Sequence, residues 1–167
     1  NYKKKIISSN NKKFYSWVDL GSEYRAPELT CALLYSQLQK AKKIQNNRYT
    51  LWKKFKKILI NLKTNKFYLV ENIKNSQSAY HLLALVFKNQ LFSNQFISFL
   101  QKENIAATFH YVPLHKSKMG KKYCNYKLPI TENIYNKVVR IPFFPDMNLK
   151  EFNKIANTVN KFFYEKK

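Results

Sequence analysis

Three histidines, His81, His110 and His115, are the side chains of this 167-residue chain best suited to moving protons or binding a metal near neutral pH. Two lie in the stretch Thr108-Phe109-His110-Tyr111-Val112-Pro113-Leu114-His115. That pattern predicts His110 at a strand end and His115 just past a proline bend, positions from which side chains reach a cleft. Histidines five apart need further ligands to hold a metal, and residues 104–131 contain no Asp or Glu, so no metal site is expected. His81 reads as a packed or solvated side chain. Carboxylates are scarce: none lies between Glu28 and Glu71. Paired-carboxylate chemistry would have to draw on Asp19, Glu23 and Glu28, or on Glu132 and Asp146, and no local pattern supports either set. The two glycines, Gly21 and Gly120, cannot form a GxGxxG or Walker-type phosphate loop. Cys31 and Cys124 are isolated, without a CxxC spacing.

The charge is extreme, with 31 Lys+Arg against 9 Asp+Glu and a net charge of +22. Taken alone it points to a basic nucleic-acid-binding module, with Lys53, Lys54, Lys56 and Lys57 in the acid-free helix as its contact surface. Only Arg25, Arg48 and Arg140 are arginines, however, while asparagine occurs 19 times and isoleucine 12. Lysine, asparagine and isoleucine are the residues AT-rich codons supply. Nucleic-acid readers favour arginine for bidentate contacts, so codon drift explains the charge better and nucleic acid is the less favoured partner. Aromatics at 16% exclude a disordered tail. The apolar runs, such as residues 82–87, are too short to span a membrane, and the first residues have no apolar signal core. A cytoplasmic protein is expected, and a first residue of Asn leads us to expect a chain that begins mid-protein.

The elements that must position these residues can be read from the periodicity. Residues 1–19 are polar and lysine-rich, and read as a loop or short extended piece. A turn at 21–28 leads into a helix, with Pro27 suited to its first turn and Glu28 to the positive end of its dipole. Leu34, Leu38, Ala41, Ile44, Arg48, Leu51, Phe55, Ile58 and Leu62 recur at steps of three and four. They predict one long helix over 28–64, with a break, if any, near Gln45-Asn46-Asn47. Strands are expected at 66–72, 79–88, 105–112 and 135–143. A helix over 93–103 would be capped by Ser93. A final helix over 148–164 would be capped by Asn148, with Phe152, Ile155, Val159, Phe162 and Phe163 inward. Strands alternating with helices make an α/β layered domain.

Three stretches in register resemble the C-terminal half of the DegT/DnrJ-type, pyridoxal-phosphate-dependent sugar aminotransferases. The first is Trp17-Val18-Asp19-Leu20-Gly21-Ser22-Glu23-Tyr24 running into Glu28-Leu29 and residues 32–38, similar to the family's Gly-Tyr-Asn-Tyr-Arg turn and long helix. The second is Phe109-His110-Tyr111-Val112-Pro113-Leu114-His115, similar to His-Tyr-x-Pro-Leu-His. The third is Leu128-Pro129-Ile130-Thr131-Glu132 followed by Arg140-Ile141-Pro142-Phe143-Phe144, similar to Leu-Pro-x-Thr-Glu and the Leu-Pro-Leu-Phe strand.

The resemblance implies the C-terminal portion of a fold-type I aminotransferase, a long linking helix followed by a small sheet domain with helices packed on it. Residues 1–26 would be a loop segment and active-site turn left from the large domain, 27–64 the linking helix, and 65–167 the small C-terminal α/β domain. The Asp-Leu-Gly-Ser turn favours the branch that makes dTDP-4-amino-4,6-dideoxygalactose from the 4-keto sugar, with glutamate as the amino-acid donor. The family's Schiff-base lysine precedes the turn by some tens of residues. It therefore falls outside this chain, which is expected to be inactive alone. Ser22, Tyr24 and Arg25 would reach across a homodimer to the neighbouring subunit's cofactor phosphate, with Glu23 as an unfavourable neighbour there. His110, Tyr111 and His115 would border the pocket for the nucleotide-linked keto sugar. The implied partner is a second copy of the chain or an N-terminal half.

Overall fold

The computed structural model of the chain describes the backbone of residues 2–9, 12–20, 24–123 and 126–165, and the side chains of 24–123 and 126–165. The chain forms two compact units, Asn1–Ala41 and Lys42–Lys167.

In the first unit, β1 (Tyr2–Ser9) pairs antiparallel with β2 (Lys12–Leu20), from Tyr2 opposite Leu20 to Ser9 opposite Lys12, with a register shift between Lys3 and Lys4. The segment expected over 1–19 as a loop or short extended piece is extended and paired, a two-stranded ladder. Its sequence explains the difference: Ile6-Ile7, Phe14-Tyr15 and Trp17-Val18 are β-branched and aromatic pairs, and these outweigh the flanking lysines. Helix α1 (Glu28–Gln39) follows, with Pro27 at its N-cap (φ −57°, ψ 147°), one residue earlier than a first-turn position. Glu28 stands in the first turn, at the positive end of the helix dipole. No residue of α1 is buried, and Leu29, Leu33, Leu34, Tyr35 and Leu38 are all exposed.

A turn at Lys40 (φ −96°, ψ −2°) separates α1 from α2 (Ala41–Asn61). The break thus falls five residues before the Gln45-Asn46-Asn47 position expected for it. Gln45 does not compete with its own backbone there, because its Nε2 donates to the Ser78 carbonyl at 2.7 Å. The buried face of α2 is Leu51, Trp52, Phe55 and Leu59. Leu51 and Phe55 belong to the stripe read from the sequence, and Trp52 and Leu59 widen it.

The second unit is built on a four-stranded antiparallel sheet of order β3-β4-β6-β5. Its strands are β3 (Phe67–Leu69), β4 (Leu83–Phe87), β5 (Thr108–Phe109) and β6 (Val138–Ile141). Each is shorter than its expected range. Leu85 lies opposite Leu69 and Val139, and Leu83 lies opposite Ile141. Pairing puts these residues, with Phe67 and Phe87, on one sheet face, and that face meets α2, α3 (Gln90–Lys102) and α6 (Leu149–Glu165) in a single core. The opposite face carries Tyr68, Ala84, Val86, Thr108, Val138 and Arg140.

Local chemistry sets the helix starts. Asn89 caps α3, its Oδ1 accepting the Phe92 N–H at 2.8 Å. Ser93, expected as that cap, is instead buried in the helix, its hydroxyl 2.8 Å from the Gln90 carbonyl and 2.9 Å from the Asn136 carbonyl. Asn caps as well as Ser and comes four residues earlier, so the helix gains a turn. At α6 the expected cap is present as a reciprocal box: Asn148 Oδ1 accepts the Glu151 N–H and Glu151 Oε2 accepts the Asn148 N–H, each at 2.9 Å. Ile155, Val159, Phe162 and Phe163 of that helix are buried. Among the described residues no helix is long and apolar enough to cross a membrane.

Among the described residues five phenylalanines and five leucines are buried in the core, and the phenylalanine rings pack on one another. Phe96 and Phe162 pack edge to face with centroids 5.1 Å apart, and Phe87 lies 5.1 Å from Phe96 and 5.8 Å from Phe67. Replacing Phe96 or Phe162 by alanine should cost about 3–5 kcal/mol, read as a lowered denaturation midpoint in guanidinium. Leu29→Ala on the exposed face of α1 should stay within about 0.5 kcal/mol of the parent in the same measurement.

Candidate functional site

The segment from β5 to residue 123 carries most of the side chains singled out above. Strand β5 ends at Phe109, His110 and Tyr111 follow it, and Pro113 (φ −58°, ψ 139°) starts a 3-10 turn, Leu114–Lys116. Helix α4 (Gly120–Tyr123) closes the corner. Gly120 has a specific reason to be glycine, since a Cβ there would stand 1.8 Å from the Leu114 carbonyl oxygen. Its N–H donates to Ser117 Oγ at 2.9 Å, and Ser117 Oγ in turn donates to the Leu114 carbonyl at 2.7 Å. The corner is therefore closed by backbone contact at its one glycine.

Helix α5 (Pro129–Ile134) brings Glu132 to this corner. Glu132 Oε1 lies 3.2 Å from His115 Nε2 and accepts the Leu128 N–H at 3.1 Å, while Oε2 lies 2.8 Å from Lys116 Nζ. The Lys116 ammonium and then the Leu128 N–H favour the carboxylate, holding Glu132 down at about 2 from an ordinary 4.5. Burial pulls weakly the other way. The same contact raises Lys116 above its usual range. Glu132 is thus ionised at neutral pH and unsuited to donating a proton. Instead it ties His115, whose side chain is only 8% exposed, to the start of α5. Two of the sequence motifs, His-Tyr-Val-Pro-Leu-His and Leu-Pro-Ile-Thr-Glu, meet through this one carboxylate. A shallow recess beside it is lined by Pro113, Leu114, His115, Tyr123, Tyr126 and Leu128.

His110 and Tyr111 belong to a second cluster. Their rings lie 3.9 Å apart, and Arg140 Nη1 donates to the Tyr111 hydroxyl at 3.2 Å. Burial, and then the positive charges of Arg140 and His81, lower the pKa of His110 below its usual value. Among the described residues His110 Nδ1 is buried without a hydrogen-bond partner. Neither Arg140 nor His81 was singled out from the sequence as a site residue. The available signal was Arg140's rarity, one of three arginines, at an alternate position in a short strand.

The remaining expected site residues lie in the first unit. Ser22 and its neighbour Glu23 fall outside the described residues. Tyr24 is 90% exposed and Arg25 is exposed, so a hydroxyl and a guanidinium are presented on the surface, a donor set that suits a phosphate group. Of the α2 lysines, Lys56 is paired with Glu71 and lies over the Trp52 ring, and Lys53 lies over the Tyr49 ring.

Comparison with known proteins bears on the whole arrangement. The DegT/DnrJ/EryC1/StrS aminotransferase family matches residues 3–160. An uncharacterized protein of Methanocaldococcus jannaschii is 25% identical over 161 residues, which cover 94% of this chain and 42% of that protein. A dTDP-3-amino-3,6-dideoxy-alpha-D-galactopyranose transaminase of Aneurinibacillus thermoaerophilus is 28% identical over 109 residues, covering 58% of this chain and 29% of the relative. In three dimensions, a Helicobacter pylori aminotransferase involved in pseudaminic acid biosynthesis superposes with a TM-score of 0.80 at 21% identity. That superposition covers 96% of this chain and 43% of the other. The mixed helix-and-sheet fold is therefore that of a portion of the fold-type I sugar aminotransferases. The chain spans 29 to 43% of the length of these three proteins.

Two outcomes are expected at this corner. Gly120→Ala should destabilise the second unit by about 1–3 kcal/mol, because neither the Leu114 carbonyl nor the helix can move freely, and thermal unfolding will show it. The pKa of Glu132 is depressed, so its stabilising contribution is complete above 4.5 and is lost as the pH falls towards 2. Glu132→Gln should flatten the dependence of the melting temperature on pH across that window, whereas an unchanged profile would show that the carboxylate carries no net contribution.

Proposed function

Because the chain belongs to the DegT/DnrJ/EryC1/StrS aminotransferase family, we propose that it forms the C-terminal part of a pyridoxal-phosphate-dependent sugar-nucleotide aminotransferase. The observation that carries this reading is the family match over residues 3–160, with two of the family-like motifs joined through Glu132. The substrate we favour is a dTDP-4-keto-6-deoxy sugar, with glutamate as amino donor, on the strength of the Asp-Leu-Gly-Ser turn. The Aneurinibacillus relative is named for a 3-amino sugar, so the position aminated is the finer point to be measured.

Bound pyridoxal phosphate supplies the electron sink through which an amino group can leave the donor and join the keto carbon. The residues of this chain would bind and orient. Tyr24 and Arg25, with Ser22, would hold the cofactor phosphate of a second subunit, and the exposure of Tyr24 supports a contact made outside its own chain. The Tyr111 hydroxyl accepts from Arg140, which leaves its proton to donate to a sugar oxygen. His115, held by Glu132, would form a fixed wall of the sugar pocket rather than move protons. The exposed apolar side chains of α1 support burial of that helix against the large domain or a second copy.

No residue of this chain is assigned the cofactor-anchoring role, so the 167-residue chain should not transfer an amino group alone. Incubation with pyridoxal phosphate and borohydride should leave no stoichiometric adduct at a single lysine by mass spectrometry. Adding the N-terminal portion should restore transfer from glutamate to the keto sugar, and NMR of the product will locate the new amine. Turnover by the chain alone would overturn the proposal.

A further inference from the structure

The loop between β3 and β4 meets the start of α2, and a cavity of about 440 Å³ opens between them. That size lies within the range of small-molecule pockets. Helix α2 contributes Gln45, Asn46 and Tyr49, and the loop contributes Asn72, Gln77 and Tyr80 together with two serines. Positions 45 and 49 are one helical turn apart and share a face. In a chain of net charge +22 the lining is unusual, because among the described residues it holds no lysine, arginine, histidine or carboxylate. A phosphate or a metal ion would find no charged partner in that lining, and no group there moves protons at neutral pH. The cavity suits the binding of an uncharged polar molecule.

Its shape is fixed by contacts within the chain. Gln45 Nε2 donates to the Ser78 carbonyl at 2.7 Å, which pins the loop to the helix. Asn72 Nδ2 donates to the Tyr80 hydroxyl at 3.1 Å, so the phenol proton remains to be donated. Tyr80 has a φ of 43°, a left-handed conformation that a bulky residue keeps only where its surroundings hold it. Here its N–H donates to Ser78 Oγ at 3.0 Å, and its ring lies 5.0 Å from that of Tyr49 and 5.3 Å from that of Trp52. Tyr49 is 42% exposed, and the Lys53 ammonium stands 4.3 Å from its ring centroid. That ring face is therefore open to a polarised group.

A primary amide offers a donor and an acceptor side by side, which matches two neighbouring hydroxyls, and an exposed aromatic ring accepts a polarised C–H face. Four amides around two phenol rings combine both features. We propose that the cavity between α2 and the β3–β4 loop binds a neutral sugar, a pyranose ring with free neighbouring hydroxyls. The amides take the hydroxyls, and Tyr49 and Tyr80 take the C–H face. A nucleotide is the poorer match, since its phosphate meets no cation in the lining. None of these residues has a part in the function proposed above, and binding of a free sugar here does not depend on it.

Trp52 reports on the cavity through its contact with Tyr80, and Trp17→Phe leaves it as the one tryptophan of the chain. In that background the 167-residue chain is titrated with the methyl glycosides of glucose, galactose and mannose and with N-acetylglucosamine. Uracil and inorganic phosphate serve as controls. At least one sugar should change Trp52 emission with saturation in the millimolar range, and neither control should. Calorimetry on the parent chain measures the same binding without the Trp17 substitution. Asn46→Ala and Gln77→Ala, both at exposed positions, should each weaken it about threefold or more, and Tyr49→Ala about tenfold. Thermal unfolding matching the parent will show that each variant is folded. No saturation by any of the four sugars would overturn the proposal, as would saturation by uracil or phosphate alone, or parent-like affinity in all three variants.

Discussion

The second unit depends on one interaction above others, the packing of phenylalanine rings between the sheet and its helices. Phe87 sits at the end of the buried β4 strand with Phe67, Phe92, Phe96 and Phe163 around it at centroid distances of 5.1 to 6.5 Å. Phe162 and Phe163 of α6 and Phe96 of α3 close the cluster from the helix side. Rings tilted or edge-to-face fill space without methylene flexibility, and a sheet of four short strands has little other surface to bury.

Burying one sheet face in aromatics leaves the chemistry on the other face and at the strand ends. Arg140 lies next to Val139 and Ile141, which are fully buried, and strand alternation turns its side chain to the opposite face. The His110 segment leaves the neighbouring strand β5 and runs past the same face, so Tyr111 can accept from Arg140. The Glu132 knot then ties the rest of that loop to α5. The aromatic layer thus backs two polar clusters, one around Glu132 and one around Arg140, to which a single loop contributes His115 and Tyr111.

Much of this was legible in the sequence where a single local rule applied. Asn148 followed three residues later by Glu151 read as a cap because cap chemistry is a short-range match of side chain to backbone. The inward set Ile155, Val159, Phe162 and Phe163 was legible for the same reason, a fixed period on a long helix. Ser93 misled, since serine caps well in isolation while Asn89 does so four residues earlier, and the buried Ser93 instead bonds to the carbonyl of Asn136. The lysine-rich start was legible only as a loop or short extended piece, because composition spoke for a loop while the paired apolar residues spoke for strands.

By itself the sequence determined the order of the four sheet strands and of the helices at 90–102 and 149–165, the inner face of the last helix and the three family-like motifs, all of which depend on residues close together in the chain. Only the tertiary structure decided that Glu132 is a tether with its pKa near 2 rather than an acid, and that Arg140 lines one cavity with His81 and donates to Tyr111. The physical reason is range. Capping and periodicity act over a few residues, whereas charge coupling depends on distances through space that sheet pairing brings about. Arg140 and His81 are 59 positions apart in sequence, and no local pattern could have joined them.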